Sequence, residues 1–536
     1  MAALDFLTTL TSVSFSKLNV LIAVFAVVGG YLLYNRRKLP LPPGPKRLPI
    51  VGNALDYPTV HPWIKYAEWS RDYGSDVVYA KIFNTSMVIL NSEEAINDLF
   101  VKRSAIYSDR PRHIMVNELM GWSRNLHSMA YGAYRARAGR RLFYQEFNPA
   151  ASKRFRPHML AASRELLSRL LKDPENFVEH LRHMSGSVSM DIAYGMKPQE
   201  KDDPFIACSE RAVAGVVRAF VPGAFLVDMI PILKYVPEWV PGANFQRLAR
   251  EWKKETDDTF DLPWAAAKER IAKGSFTPSF TSFSLDQISE MNDTPEAKAK
   301  EEEVVKNTAA SMFLGSSLPS SYASQQNIAP LQSAFLGILS NPEAQRKAQE
   351  ELDRVVGRGY LPDFSNEDDL PYVTALVKEV LRWHDPAPIS LTHRVTEDDI
   401  YKGYLIPKGS FVVSNLWALL HDPEIFTDPM EFKPDRFLRP DGTLNPEIRD
   451  PRDVIFGIGR RYCPGRYAAY DFAWIAIASL LSVFEISRAV DEKGVPVEPT
   501  YEYTSTVISV PLPFKCTIKP RSKEAEKLIL SMENSH

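Results

Sequence analysis

The sequence predicts a mainly α-helical protein with small β-sheets, built as one large domain behind an N-terminal membrane anchor helix. Three observations predict this fold. Hydrophobic residues make up 45% of the 536 residues, which is enough for a large core. Segments with apolar residues three and four positions apart outnumber the strand-like runs. One apolar stretch near the N-terminus approaches the thickness of a membrane.

Charge and cysteine content exclude several classes of protein. The chain has 64 lysines and arginines against 66 acidic residues, a net charge of −2, so we expect no nucleic-acid partner. It contains only three cysteines, Cys208, Cys463 and Cys516. That number excludes a disulfide scaffold and a zinc or iron–sulfur site with several cysteines. A cysteine with a chemical function therefore acts alone.

The N-terminal segment 1–38 is expected to be a membrane anchor. Residues 18–34 are apolar and would span about 26 Å as a helix, close to the roughly 30 Å hydrocarbon core. The alternative, a cleaved signal peptide, carries its basic residues before the apolar run, whereas here residues 36–38 (RRK) follow it. The positive-inside rule then places the body in the cytosol. The glycosylation sequons at Asn84 and Asn292 should therefore stay unmodified.

The remainder of the chain divides into a hinge and one domain. Residues 39–45 (LPLPPGP) are expected to form a proline-rich hinge before a domain covering 46–536, because proline fixes φ and removes a donor. Residues 164–171 and 344–356 show helical spacing. Residues 273–300 are polar and predict a surface loop joining two helices. The short strand-like runs comprise residues 77–79, 87–90, 411–414 and 507–510.

A glycine-rich stretch around Cys463 carries the strongest functional signal. Residues 456–466 read FGIGRRYCPGR and precede a long apolar segment. We expect Cys463 at the start of that helix, with Pro464 in its first turn. A helix N-terminus favours negative charge, so it favours the thiolate form of a cysteine.

The neighbours of Cys463 suit a large, flat, anionic group. Gly457, Gly459 and Gly465 have no side chains, so the backbone can approach such a group closely, and Arg461 can neutralise an anion. A thiolate in these surroundings is what a heme iron and its propionates require. The alternative is a glycine-rich turn with a buried structural cysteine, which the full spacing of the motif disfavours.

Residues 456–465 (FGIGRRYCPG) resemble the heme-binding motif of the cytochrome P450 monooxygenases, Phe-x-x-Gly-x-Arg-x-Cys-x-Gly. Two further motifs occur in the family's order: Glu379 and Arg382 match its Glu-x-x-Arg pair, and residues 434–437 (PDRF) match its Pro-x-Arg-Phe segment. The intervening sequence resembles fungal microsomal members that modify secondary metabolites. The resemblance covers essentially the whole chain, so it implies one large domain and not the three or four that length alone suggests.

The resemblance also implies the residues that hold the cofactor. Cys463 would be the axial ligand of the iron of heme b, in a loop that includes Phe456, Gly457 and Gly465. Arg461 and His393 would contact the heme propionates.

A third propionate contact is less clear from the sequence. In the family it comes from a Trp-x-x-x-Arg helix; Arg140 matches the arginine, but Ala136 stands in place of the tryptophan, so Arg137 is an alternative. These arginines could otherwise form a solvated helix face, or part of a basic patch that receives an acidic reductase.

Glu379, Arg382 and Arg436 are expected to form a buried structural set that holds the loop of Cys463, because a buried guanidinium needs several acceptors. Four other Glu-x-x-Arg pairs are expected to be solvated pairs that contribute little to stability. They begin at Glu68, Glu179, Glu343 and Glu351.

The segment for oxygen activation departs from the family pattern. Residues 304–315 and 331–339 match the helix on either side, but Leu318 and Pro319 stand where the family has an acid and a threonine that relay protons. Three explanations remain open. A serine may replace the threonine in an unwound helix, the segment may be mis-spliced, or the enzyme may be impaired or catalyse altered chemistry. The candidate serines are Ser316, Ser317, Ser320 and Ser321.

The leading interpretation is a single-pass protein of the endoplasmic reticulum membrane with a cytosolic heme-thiolate monooxygenase domain. The resemblance implies insertion of one oxygen atom from O2 into an apolar small molecule. Electrons would come from NADPH through a separate NADPH–cytochrome reductase, since no dinucleotide fingerprint occurs in the chain. The alternatives are a heme-binding relative with impaired or no monooxygenase activity, and a heme-thiolate isomerase or dehydratase. Carry-over from the family's layout places the substrate pocket at residues 107–122, 213–227, 313–335, 388–391 and 504–507.

Overall fold

The computed structural model describes residues 39–200, 202–220, 223–316, 328–505 and 508–533. The expected anchor, residues 1–38, lies outside these ranges. Within them, no helix is both long enough and apolar enough to cross a membrane.

Helices make up most of the described chain, as predicted. Their order along the chain is α1 Pro62–Asp72, α2 Glu93–Ile96, α3 Ser104–Tyr107, α4 Tyr134–Phe147, α5 Arg156–Lys172, α6 Phe177–Tyr194, α7 Pro204–Ala219, α8 Leu226–Met229, α9 Asn244–Ala272, α10 Phe280–Glu290, α11 Pro295–Ser316, α12 Ile328–Ser340, α13 Pro342–Val355, α14 Pro371–Trp383, α15 Leu416–Leu420, α16 Arg452–Ile455, α17 Arg466–Val483 and α18 Lys523–Glu533. Two π-helical turns cover Asn97–Lys102 and Ile114–Leu119.

Three small sheets accompany the helices in the described ranges. The strands are β1 Val77–Ile82, β2 Thr85–Leu90, β3 His393–Arg394, β4 Asp399–Tyr401, β5 Tyr404–Ile406, β6 Phe411–Ser414, β7 Phe484–Arg488 and β8 Cys516–Pro520. The largest sheet has the order β1-β2-β6-β3, in which β2 and β6 are parallel and the other pairs antiparallel. The pairs β4–β5 and β7–β8 form two-stranded antiparallel sheets, of which only β4–β5 is joined by a tight turn.

The core surrounds α17, which is apolar on nearly every face and buried along most of its length. A helix of that kind lies inside a large protein, not at its surface. Helices α5, α13 and α14 pack against it. The predicted helices at 164–171 and 344–356 lie within or nearly within α5 and α13, and the strand-like runs at 77–79, 87–90 and 411–414 lie within β1, β2 and β6.

Two predictions from sequence are wrong. Residues 273–300 are not one loop, because α10 forms within them and begins at a capping box in which Ser279 and Ser282 bond each other's backbone N–H. The helix buries Phe280 and packs Leu285 and Ile288 against the core, an apolar pattern that the polar composition obscured. Residues 508–510 form no strand; Ile508 and Val510 pack instead in a small apolar cluster, and the following prolines cannot donate to a ladder.

Candidate active site

The loop of Cys463 lies between a 3₁₀ turn, Gly459–Arg461, and the start of α17. The backbone N–H of Cys463 donates to the carbonyl oxygen of Phe456 at 2.7 Å. Gly465 is the N-cap of α17, so the helix begins after the cysteine. The prediction that Cys463 begins the helix and that Pro464 lies in its first turn is therefore wrong by two to three residues, because the bond to Phe456 keeps the cysteine in the preceding loop.

Cys463 is half-buried in this loop. Burial raises its pKa, and the backbone N–H of Gly465 together with the charges of Arg140 and Arg466 opposes that shift. Burial disfavours the charged form of an isolated thiol. A thiolate at this position therefore needs a further positive charge, which a bound metal ion supplies.

The glycines of the loop have different functions. Gly459 has a φ of +82°, and a Cβ there would lie 2.2 Å from the carbonyl oxygen of Phe100, so backbone packing alone requires glycine. A Cβ on Gly465 would meet no described atom within 4 Å, and one on Gly457 would meet its nearest neighbour, Tyr462, at 3.9 Å. Open space at these two positions fits a large flat group beside the cysteine.

Glu379, Arg382 and Arg436, called here the glutamate set, lie in direct contact. Glu379 and Arg382 are fully buried on α14, with Arg382 Nε 2.7 Å from Glu379 Oε2. Arg436 Nε lies 3.1 Å from the same oxygen. The remaining donors reach backbone carbonyl oxygens, those of Leu420, Pro429 and Glu431 from Arg382, and those of Thr427, Asp428 and Glu431 from Arg436.

The four other Glu-x-x-Arg pairs are not alike. Glu343 and Arg346 form the expected exposed pair. Glu351, in contrast, is buried and accepts from the backbone N–H groups of Tyr372 and Val373 at 3.0 and 2.9 Å. These N–H groups belong to the first turn of α14, so Glu351 caps the helix that carries the glutamate set. The expectation of a solvated pair is wrong at this position.

Three arginines, Arg110, Arg140 and Arg461, lie together near the cysteine loop and are called the arginine cluster. Arg461 donates to the carbonyl oxygens of Ser108 and Met129 at 2.9 and 2.8 Å. Arg140 Nη2 lies 3.1 Å from the carbonyl oxygen of Tyr462. Sequence reasoning had placed both arginines at the site. Neither reaches a carboxylate through a hydrogen bond among the described residues.

Arg110 was missed from sequence. Its Nη1 donates to the carbonyl oxygens of Leu391 and Thr392 at 2.6 and 2.9 Å, whereas its buried Nε has no acceptor among the described residues. Burial, with the nearby charges of Arg461 and Arg140, lowers the pKa of Arg110 to about 9. The stretch 104–116 also carries Asp109 and Arg112, so no signal in the sequence alone singled out Arg110.

Two histidines border the arginine cluster. His393 stacks on Phe100 with ring centroids 4.1 Å apart, and its Nδ1 lies 2.7 Å from the carbonyl oxygen of Tyr107, so Nδ1 carries a proton. Burial and the charge of Arg110 hold the pKa of His393 well below its usual range. His127, also missed from sequence, has its pKa lowered to about 4 by burial and the three arginines. A site with this excess of positive charge attracts anions.

The oxygen-activation segment falls mostly outside the described residues. Helix α11 ends at Ser316, whose side chain is not described, and α12 begins at Ile328. The stretches 304–315 and 331–339 are helical, as predicted. The candidate Ser317, Ser320 and Ser321, with Leu318 and Pro319, lie outside the described ranges.

Parts of the expected substrate pocket come together in an apolar group, called the distal cluster. Its buried members come from 114–122, 212–227, α9 and α11, with Phe260 and Leu314 among them. The contribution of α9 was missed from sequence. A second small cluster joins Ala329, Ile508 and Val510, with Ala387 packed against it.

Comparison with known proteins places these features in one family. The family model described as Cytochrome P450 matches residues 42–516. The chain is 44% identical to Cytochrome P450 monooxygenase 98 of Postia placenta, over 97% of this chain and 98% of that protein. It is 40% identical to Tryptamine 4-monooxygenase of Psilocybe cyanescens, over 95% and 99%, and 40% identical to Cytochrome P450 monooxygenase ple1 of Rhodocybe pseudopiperita, over 95% of each. The matched segment includes both the glutamate set and the cysteine loop, and the chain belongs to the cytochrome P450 family, among relatives that are fungal monooxygenases.

Proposed function

We propose that the protein is a membrane-anchored heme-thiolate monooxygenase that inserts one oxygen atom from O2 into an apolar small molecule. The observation that carries the proposal is the half-buried Cys463 beside the arginine cluster. Among the described residues these guanidinium groups donate to no carboxylate, and the pKa values of Arg110 and Arg461 are lowered despite the charge of Asp109. When bound, heme b supplies the redox chemistry that activates oxygen. Electrons come from NADPH through a separate reductase.

The chain's own residues would hold the cofactor. The sulfur of Cys463 would ligate the iron, and the open space at Gly457 and Gly465 would leave room for the macrocycle. The arginine cluster and His393 would neutralise the propionates. The propionate carboxylates would raise the lowered pKa values of these arginines and of His393, because a nearby opposite charge favours the protonated forms.

The distal cluster provides the substrate side of the pocket. Its buried residues are almost all apolar, so they exclude water from the substrate and favour apolar molecules. The fungal relatives support a small secondary metabolite as substrate. This part of the proposal depends on the residue ranges that the family's layout assigns to substrate contact.

An arginine-lined cavity of about 380 Å³ lies against the outer side of the cysteine loop. Arg137, Arg141 and Arg460 line it together with Arg140, and Pro464 forms part of its wall. We propose that an acidic surface of the reductase docks here, because positive potential steers a negatively charged partner. Electron transfer to the cofactor would then pass close to Cys463.

A face of exposed apolar residues supports the membrane assignment. Ile50, Leu55 and Trp239 are 91%, 80% and 83% exposed. Gly223 lies near the stretch that carries Ile50, since a Cβ on Gly223 would lie 4.0 Å from the ring of Phe83, and the N–H of Phe83 bonds the carbonyl oxygen of Val51. Apolar surface of this extent suits a lipid contact.

The membrane proposal is tested by deletion of residues 1–38. We expect the shortened protein to bind heme and to bind vesicles less tightly than the full chain, while the apolar face retains some affinity. Secretion of the full chain with Asn84 or Asn292 glycosylated would show that the segment is a cleaved signal peptide.

The monooxygenase proposal is tested by reductase-supported consumption of NADPH and O2. The Cys463→Ala variant should lose the thiolate band in the reduced carbon-monoxide difference spectrum and all activity. Cys208→Ala and Cys516→Ala serve as matched controls and should retain both. A normal thiolate band in Cys463→Ala would contradict the assignment.

Leu318 and Pro319 supply no acid or hydroxyl, so we propose that the protein binds heme but loses reducing equivalents to peroxide. Acid–base catalysis contributes about 10²- to 10⁴-fold, so its loss should lower coupling before it lowers heme content. Replacing residues 316–330 with a regular helical segment that carries Asp-Thr should lower the peroxide formed per NADPH. If the original chain already produces as little peroxide as the repaired one, the segment is a working variant and the proposed uncoupling is wrong.

A further inference from the structure

Two buried N–H donors in and beside the distal cluster have no acceptors. Trp122 is 6% exposed and Asn307 is 2% exposed. Neither Nε1 of the Trp122 indole nor Nδ2 of the Asn307 amide has a hydrogen-bond partner in the part of the chain that the structure describes. A buried donor without an acceptor destabilises a protein, so two at one place point to a ligand that accepts from them.

Both donors are connected to the same aromatic ring, Trp122 directly and Asn307 through Arg124. Trp122 packs edge to face on Phe260, with ring centroids 6.5 Å apart. The guanidinium carbon of Arg124 lies 4.7 Å from the centroid of that ring. Arg124 Nε donates to Oδ1 of Asn307 at 3.4 Å. The donors therefore belong to one corner of the cluster, where the turn Trp122–Arg124 runs along α11.

The contact with Arg124 also settles the orientation of the Asn307 amide. An amide can be turned to exchange its oxygen and nitrogen, but the nitrogen would then face a guanidinium donor. Nδ2 is thus the group left without a partner. Asn307 shares one face of α11 with Ala310 and Leu314, three and seven residues further on, and both of these belong to the distal cluster.

We propose that Trp122 and Asn307 together bind a hydrogen-bond-accepting oxygen of the substrate. The substrate class is then an apolar molecule that carries a carbonyl or a similar oxygen. Arg124 is itself paired with Asp257 and Asp261 at 3.2 and 2.8 Å, so the selectivity comes from the two N–H donors. They favour an acceptor and disfavour an ammonium group, which offers them only further donors. This inference rests on the proposed monooxygenase function and adds the chemical feature that the pocket recognises.

The test compares three probes of the same shape: diphenylmethane, benzophenone and benzhydrylamine. Isothermal titration calorimetry measures the Kd of each for the heme-loaded full chain. We expect Trp122→Phe, which removes the indole N–H, to weaken benzophenone binding by roughly 3- to 10-fold, the usual effect of one hydrogen bond. Diphenylmethane, which has no acceptor, should change less than about twofold because only burial of its rings contributes.

Asn307→Asp provides an independent variant, because it keeps the oxygen that Arg124 contacts and replaces the N–H donor with an acceptor. This variant should bind benzophenone more weakly and benzhydrylamine more tightly than the parent. Trp383→Phe is the matched control: its indole N–H already donates to Met430 at 2.8 Å, so its loss should leave all three Kd values unchanged.

Unchanged benzophenone affinity in both variants, or no benzophenone binding by the parent, overturns the proposal. A buried water or the Phe260 ring would then be the partner of the donors. The reduced carbon-monoxide spectrum of each variant keeps this result separate from the heme assignment, since a normal thiolate band shows that the cofactor site is intact.

Discussion

The glutamate set and the arginine cluster are both built from arginines inside the same helical body, yet they differ in how their charges are compensated. In the glutamate set, one carboxylate and several backbone carbonyls accept from the two guanidinium groups. In the arginine cluster, three guanidinium groups face one another and one nitrogen has no acceptor in the described ranges. The first arrangement is compensated within the chain, whereas the second keeps an excess of positive charge that Asp109 opposes only in part.

This difference separates a structural role from a binding role without reference to any family. Breaking a compensated buried pair leaves an unpaired charge, so it lowers the stability of the fold itself. Removing one member of an uncompensated cluster relieves repulsion in the free protein and weakens the hold on the ligand. The two kinds of variant should therefore affect different measurements.

The largest expected effect follows Glu379→Ala. It leaves the buried guanidinium groups of Arg382 and Arg436 without a carboxylate, which typically costs about 3–5 kcal/mol. We expect poor yield of folded protein and a lower Tm in circular dichroism, with or without added heme. Glu343→Ala is the matched control, since it breaks an exposed pair with the same sequence motif, and it should not change Tm measurably. A stable, heme-loaded Glu379→Ala protein would contradict the structural role.

A smaller effect is expected for Arg110→Met. The variant should fold, but it should release heme to apomyoglobin about tenfold faster or more, because a hydrogen bond to a charged group contributes about 1.5–3 kcal/mol. The matched control is Arg164→Met, since Arg164 donates to Pro362 and Ser479 away from the cysteine loop. Equal rates of heme release from the parent and Arg110→Met would show that Arg110 does not hold the cofactor.

The smallest effect concerns Asp385, a buried carboxyl with one acceptor oxygen bonded to the N–H of Ala387 and the other without a partner among the described residues. Burial raises its pKa to about 7, from about 3.9 in an unfolded chain. The folded state therefore holds an extra proton between these values, and stability falls as pH rises through that window. Asp385→Asn keeps the hydrogen bond to Ala387 and removes the carboxyl group that causes this loss of stability at higher pH.

We expect the Tm of Asp385→Asn to exceed that of the parent by about 2 °C or more at pH 8, and by less as the pH falls toward 4. Differential scanning calorimetry across this pH range measures the Tm difference. The histidines titrate in both proteins, so their effect on Tm cancels in the difference. A Tm difference that stays constant with pH would show that Asp385 is not protonated in the folded state.

The sequence was most informative where chemistry requires adjacent residues. The spacing around Cys463 and the pair Glu379 and Arg382 could be identified because each motif is local, and helical periodicity located α5 and α13. Arg110 and His127 could not be identified in this way, because their importance comes from neighbours that are distant in the chain. Glu351 was misjudged for the same reason: its partners, Tyr372 and Val373, lie about twenty residues further on.

The bond from Arg461 to the carbonyl of Ser108 joins residues 353 positions apart, and that from Arg110 to Leu391 joins residues 281 apart. A ribosome that adds about 5–20 residues per second needs roughly 20–70 s to span the longer separation. Throughout that interval the N-terminal half carries an apolar face and an unfinished cluster of like charges. The cofactor can be captured only at the end of synthesis, so the supply of heme and of chaperones to the nearly complete chain should control how much active protein a cell accumulates.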